Sequence, residues 1–126
     1  MSKIPILKIE DFLIASVQTE LHDRMAEDLQ HDIVGELGRT NARGVLIDVT
    51  ALDIVDSFLG RMIGDTAKMT SMMGAKTVLV GLQPAVAITM VELGMELEGI
   101  HTALNMEKGI GWLRQNRVAG GDRGMQ

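Results

Sequence analysis

The residues with the most chemical promise lie together in Asp48-Val49-Thr50-Ala51-Leu52-Asp53-Ile54-Val55-Asp56-Ser57-Phe58-Leu59-Gly60. Ser57 stands where a helix should begin. A serine there can accept a hydrogen bond from the free N–H groups of the first turn. It is also an exposed hydroxyl with Asp53 and Asp56 nearby, so it reads either as a plain N-cap or as a phosphate acceptor. A phosphate would add about −1.5 to −2 charges at neutral pH. The helix dipole would welcome that charge by only about 0.3–1 kcal/mol. Each neighbouring carboxylate at ~6 Å and an effective dielectric of ~20 would oppose it by about 2–3 kcal/mol before screening. An interface built on the neutral hydroxyl would then hold an unpaired charge, and a loss of about 3 kcal/mol weakens binding roughly 100-fold. Phe58 is either an anchor in such an interface or a ring tucked under the helix. Asp48 either caps the strand end and orients the loop or joins the partner surface. Thr50 and Thr66 are weaker candidates for a second phosphate.

Other chemistry has little to stand on. His22, His31 and His101 lack metal-ligand spacing, since His22 and His31 are nine residues apart rather than four. There is no cysteine to act as nucleophile or metal ligand, and no Gly-x-Ser-x-Gly elbow. Gly109-Ile110-Gly111 is too short to cradle phosphates. The residues therefore point to no enzyme, no cofactor and no metal. A receiver phosphorylated on aspartate could use Glu10-Asp11 and Asp53, but it needs a helix straight after the acidic pair, where Phe12 to Val17 reads as a strand. It also needs a lysine near the end of the last strand, where Asn105 stands.

The elements that must position Ser57 follow from the hydrophobic pattern. The 126 residues suit one domain, 46% are hydrophobic and the net charge is −5. That charge argues against a sequence-independent grip on nucleic acid. No apolar run reaches the ~18 residues of a membrane span, and no signal peptide is visible at the start, so the expected location is the cytoplasm. Aromatic residues are few and methionines number 10. The methionines either fill a core short of rings or form adaptable contact surfaces.

Ile4 to Ile9 reads as an edge strand and Phe12 to Val17 as its hairpin partner, with the turn at Glu10-Asp11. Leu21, Met25, Leu29, Ile33 and Leu37 form a stripe that predicts a helix over 19–37 with an acidic outer face, ended by Gly38. Gly44 leads into the buried strand Val45 to Val49. A helix over 57–73 ends at Gly74, and Lys76 to Leu82 is a further strand. Pro84 opens an apolar helix that ends at Gly94. That helix is either deeply buried or shares a face around Val86, Ala87, Met90 and Val91 with another subunit. Ile100 to Leu104 is a weak strand and Glu107 to Gln115 the last helix. The expected class is α/β, in the order β-β-α-β-α-β-α-β-α, with a mostly parallel sheet after the hairpin and four helices. Residues 117–126 are expected to form a disordered tail.

Three stretches in order carry a resemblance: KIPIL near the start, IDVTALDIVDSF, and MGAKTVLVGLQPAVAITMVELG. Together they are similar to the STAS domain family of anti-sigma-factor antagonists, in particular to its stressosome scaffold type. In that family a strand ends in Asp or Asn, as at Asp48, and an acidic residue followed by Ser opens the next helix, as at Asp56-Ser57. Phe-Leu-Gly follows Ser57 where many members have Ser-Gly or Thr-Gly, which argues against the simple antagonists.

The resemblance implies a STAS fold over 1–116 and a non-catalytic scaffold in environmental stress signalling. It implies assembly with STAS-containing sensor paralogues of the RsbR type, as homo- and hetero-oligomers. It further implies a serine kinase of the RsbT type that is held, phosphorylates Ser57 and is thereby released, and a phosphatase of the RsbX type that resets the site. Asp48, Asp53, Asp56 and Phe58 would form the partner surface. The alternative within the family is a simple soluble antagonist regulated by the same serine chemistry.

Overall fold

The computed structural model describes residues 4–18, 21–53, 56–94, 97 and 99–121. The chain runs β1 (Ile6–Ile9), β2 (Phe12–Ser16), α1 (Asp23–Thr40), β3 (Gly44–Asp48), α2 (Ser57–Met72), β4 (Lys76–Val80), α3 (Pro84–Glu92), β5 (Ile100–Ala103) and α4 (Met106–Gly121). This is the element order read from the hydrophobic pattern. The five strands form one sheet in the order β1-β2-β3-β4-β5. β1 and β2 pair antiparallel, with Ile9 opposite Phe12, and every later pairing is parallel.

The central strands are continuous apolar runs because both sheet faces are covered. Val45, Ile47 and Leu79 point into the larger core, which contains Ala26, Leu29, Ile33 and Leu37 of α1, Leu59, Met62 and Ile63 of α2, and Val86 and Met90 of α3. The alternate residues Phe12, Ile14, Leu46, Val78 and Val80 point the other way, where they meet Leu113 of α4. Three helices therefore lie on one face and α4 alone on the other. α4 sits close to the sheet at Gly109, where an added Cβ would stand 2.8 Å from Val80 Cγ2 and 2.9 Å from Leu46 Cδ1. Arg114 ties the same helix to the hairpin turn through the carboxylate of Glu10, with Nε to Oε1 at 3.1 Å.

Several helix boundaries differ from expectation for physical reasons. α1 does not stop at Gly38 but continues through Thr40. Asn41 ends it, with φ 58° and its N–H bonded to Leu37 O. Asparagine is one of the few residues besides glycine that takes the left-handed conformation readily. Residues 19 and 20, in the expected first turn of that helix, lie outside the described residues.

α3 buries only Val86 and Met90, while Ile88, Val91 and Leu93 are exposed. Deep burial of this helix is therefore not what the chain adopts, although its apolar composition allowed it. The methionines divide in the same way, with Met62 and Met90 buried and Met69, Met72 and Met73 exposed. The last helix runs through Gly121, overlapping the start of the expected tail. The final residues of that tail, 122–126, lie outside the described ones. No helix among the described residues is long and apolar enough to cross a membrane.

Candidate functional site

The loop from β3 to α2 starts at the carboxyl end of a central parallel strand, the usual place for a site in an α/β sheet. The strand register carries the chain up to this edge: Val49 N–H bonds to Val80 O at 2.9 Å, and Leu52 N–H turns back to Val49 O at 3.0 Å. Val49 and Leu52 are buried. These two apolar side chains hold the loop against the larger core, leaving Thr50, Ala51 and Asp53 on the outside. Residues 54 and 55 lie outside the described residues.

Ser57 is exposed and is the first residue of α2. It is not the cap. Asp56 holds the N-cap position, extended at φ −89° and ψ 177°, and its Oδ1 accepts a hydrogen bond from Leu59 N–H at 2.9 Å. In an Asp-Ser pair both residues are good caps, and the one that precedes the first helical dihedral takes the role. The expectation that Ser57 could itself close the turn is corrected accordingly. Asp56 is an exposed carboxylate with a structural bond, so removing it has a cost. Asp56→Ala should lower stability by about 1 kcal/mol, whereas Asp56→Asn should keep most of the cap. Urea unfolding of the three proteins checks this, and equal midpoints for Asp56→Ala and the parent would refute it.

The remaining predicted residues separate by role. Asp53 is exposed. Asp48 is half-buried, and its Oδ1 accepts from both Thr50 N–H at 2.9 Å and Thr50 Oγ1 at 2.6 Å. These bonds orient the loop, one of the two uses expected of Asp48, the other being the partner surface. Phe58 is half-buried and packs on the larger core, so its ring is partly beneath the helix rather than a free anchor. Thr66 is sealed, at 0% exposure. Its hydroxyl donates to Met62 O at 2.7 Å and accepts from Gln30 Nε2 at 3.1 Å. It therefore drops out as a second phosphate acceptor.

Two residues escaped the sequence reading. Gly81 and Gln83, in the β4–α3 loop, both contact Thr50. The apolar pattern places Gly81 inside a strand over 76–82, whereas β4 ends at Val80, and a glycine near the end of a buried strand is the one local signal.

Residues 3–109 match the model of the STAS domain. The chain belongs to the STAS domain family. The RsbT co-antagonist protein RsbRA of Bacillus subtilis (strain 168) is 32% identical to this chain over 98 residues, covering 78% of this chain and 34% of that protein. RsbRD of the same strain is 22% identical over 107 residues, covering 84% and 38%. The present chain thus spans about a third of the length of the curated relatives it matches.

Among solved structures, a Ser-to-Glu variant of Moorella thermoacetica RsbS superposes with a TM-score of 0.81 at 33% identity, over 91% of this chain and 97% of that one. A chain from the stressosome, described as a signal integration and transduction hub, gives 0.78 at 35% identity, over 89% and 97%. The anti-sigma-factor antagonist SpoIIAA in its unphosphorylated form gives 0.72 at 14% identity, over 89% and 96%, a likeness of fold alone.

Proposed function

We propose that this STAS protein is a non-catalytic scaffold and phosphorylation switch of a stressosome. It holds a serine kinase of the RsbT type and releases it when Ser57 is phosphorylated. The observation that carries the reading is the position of Ser57: exposed at the first turn of α2, while its neighbour Asp56 supplies the cap. The hydroxyl has no part in closing the helix, so it can be esterified without undoing the fold.

The physical consequence is local. The new dianion stands beside the Asp56 carboxylate and near Asp53, both exposed. A partner that had covered the neutral Ser57 hydroxyl then faces an added charge it cannot pair, at a cost greater than the helix dipole repays. Identity of 33–35% to RsbS and to a stressosome chain over about nine-tenths of the sequence supports the scaffold role over that of a simple antagonist. Relatives that are RsbT co-antagonists support an RsbT-type kinase as the partner and RsbR-type sensors as co-assembling chains. A phosphatase of the RsbX type would complete the cycle, in the cytoplasm.

Incubation with an RsbT-type kinase and ATP should add one phosphate, mapped to Ser57 by mass spectrometry of the intact chain and its peptides. Ser57→Ala should take up none. Phosphate on any other residue, or none on the parent chain, refutes the switch.

A further inference from the structure

α3 begins without a side-chain cap. Its N-cap position is Gln83, extended at φ −75° and ψ 149°, and no side chain closes the first turn from there. Ser, Thr, Asp or Asn would suit the position better. The Gln83 amide crosses instead to the neighbouring loop, where Nε2 donates to the carbonyl oxygen of Thr50 at 3.0 Å. Thr50 is held from two further directions. Asp48 Oδ1 takes both its N–H and its hydroxyl. Gly81 lies flush against its side chain, so that an added Cβ would stand 1.8 Å from Thr50 Oγ1. The end of β3 and the β4–α3 loop therefore fix one threonine, from which the chain proceeds to Asp53 and Ser57.

We infer that Gln83 is a positioning residue for phosphorylation of Ser57: its bond to Thr50 holds the β3–α2 loop in the shape a kinase active site must meet. The inference rests on the reading of Ser57 given above. Position 83 breaks the local rule for a helix start and spends its side chain across the gap, and such conflicts between local preference and actual use fall at functional sites. A loop that is competent for only part of the time is met less often, and the apparent affinity of its partner drops by that fraction.

The test is Gln83→Ser, which supplies a cap to α3 and removes the reach to Thr50. Thermal unfolding should occur at the same temperature as in the parent or higher. Amide exchange at Thr50 and Leu52 should quicken about two- to tenfold, the factor for losing one neutral hydrogen bond. With a purified RsbT-type kinase and ATP, KM for the protein substrate should rise by a similar factor while kcat holds. Gln83→Glu, which keeps the length but cannot donate, should show the same rise in KM.

Unchanged exchange at Thr50 and Leu52 in Gln83→Ser would overturn the clamp. Faster exchange with an unchanged KM would overturn the positioning role. Phosphate uptake by a parallel Ser57→Ala sample would fault the assignment of Ser57 itself, while the exchange comparison, made on the protein alone, would still decide whether Gln83 holds the loop.

Discussion

Phosphorylated at Ser57, the protein should bind an RsbT-type kinase about 100-fold more weakly than Ser57→Ala does, and Ser57→Asp should fall between them, about tenfold weaker than Ser57→Ala. The order follows from charge. Alanine leaves the loop neutral at that point, aspartate adds one charge, and phosphoserine adds nearly two. Each added charge meets Asp53 and the capping carboxylate of Asp56, which are exposed, so solvent screens much of the bare repulsion. What remains grows when a partner covers the loop and removes that water. A total near 3 kcal/mol for the phosphate corresponds to the 100-fold figure. Because Ser57 makes no cap bond, none of the three changes should alter the unfolding temperature much, and the comparison is then one of binding alone. Titration of the kinase against each protein by calorimetry provides the measurement. Equal affinity for all three would remove the charge mechanism.

Gly81→Ala should be the most destabilising single-methyl addition at this end of the sheet. Two effects add. Gly81 has φ +80°, a conformation that costs an L-residue about 1–2 kcal/mol. The new Cβ would also stand 1.8 Å from Thr50 Oγ1, 2.8 Å from Thr50 Cβ and 3.0 Å from Thr50 Cα. Rotating the threonine hydroxyl away clears only the first of these and breaks the bond to Asp48, so the backbone of one loop must shift, which adds about 1–3 kcal/mol. A total loss of about 3 kcal/mol or more should lower the unfolding temperature by roughly 10 °C in a domain of this size. Gly74→Ala is the control. Gly74 has φ +83° but nothing lies within 4 Å of an added Cβ, so it should show the backbone cost only, roughly 4 °C. Similar losses in the two variants would mean that Thr50 does not occupy the slot as described.

The order and direction of the elements were legible because they rest on periodicity. The stripe through Leu29, Ile33 and Leu37 and the run Val45 to Ile47 bury the faces they advertise. Less legible was anything decided by a choice between equivalent neighbours. Gly38 and Asn41 could each end α1, and the stop went to Asn41. Gly38 instead stays inside the helix, with Met73 Cε of the α2 end 3.9 Å from where its Cβ would be. Asp56 and Ser57 could each cap α2, and the outcome reversed which of them carries a structural bond. Thr66 looked like any surface threonine of a helix until the packing of α1 on α2 brought Gln30 against it. The hydrogen bond from Gln83 to Thr50 spans 33 residues and joins two loops. Local sequence carries no trace of such a contact, because it depends on the register of β3 against β4.

The division of labour at the start of α2 also bears on how a mixed assembly is built. Since Asp56 closes the turn, the side chain at position 57 is a tenant rather than a pillar. Copies that differ only there should stay interchangeable in shape, so, under the switch proposed above, parent and Ser57→Ala copies would fit side by side in one assembly and the response would follow their ratio.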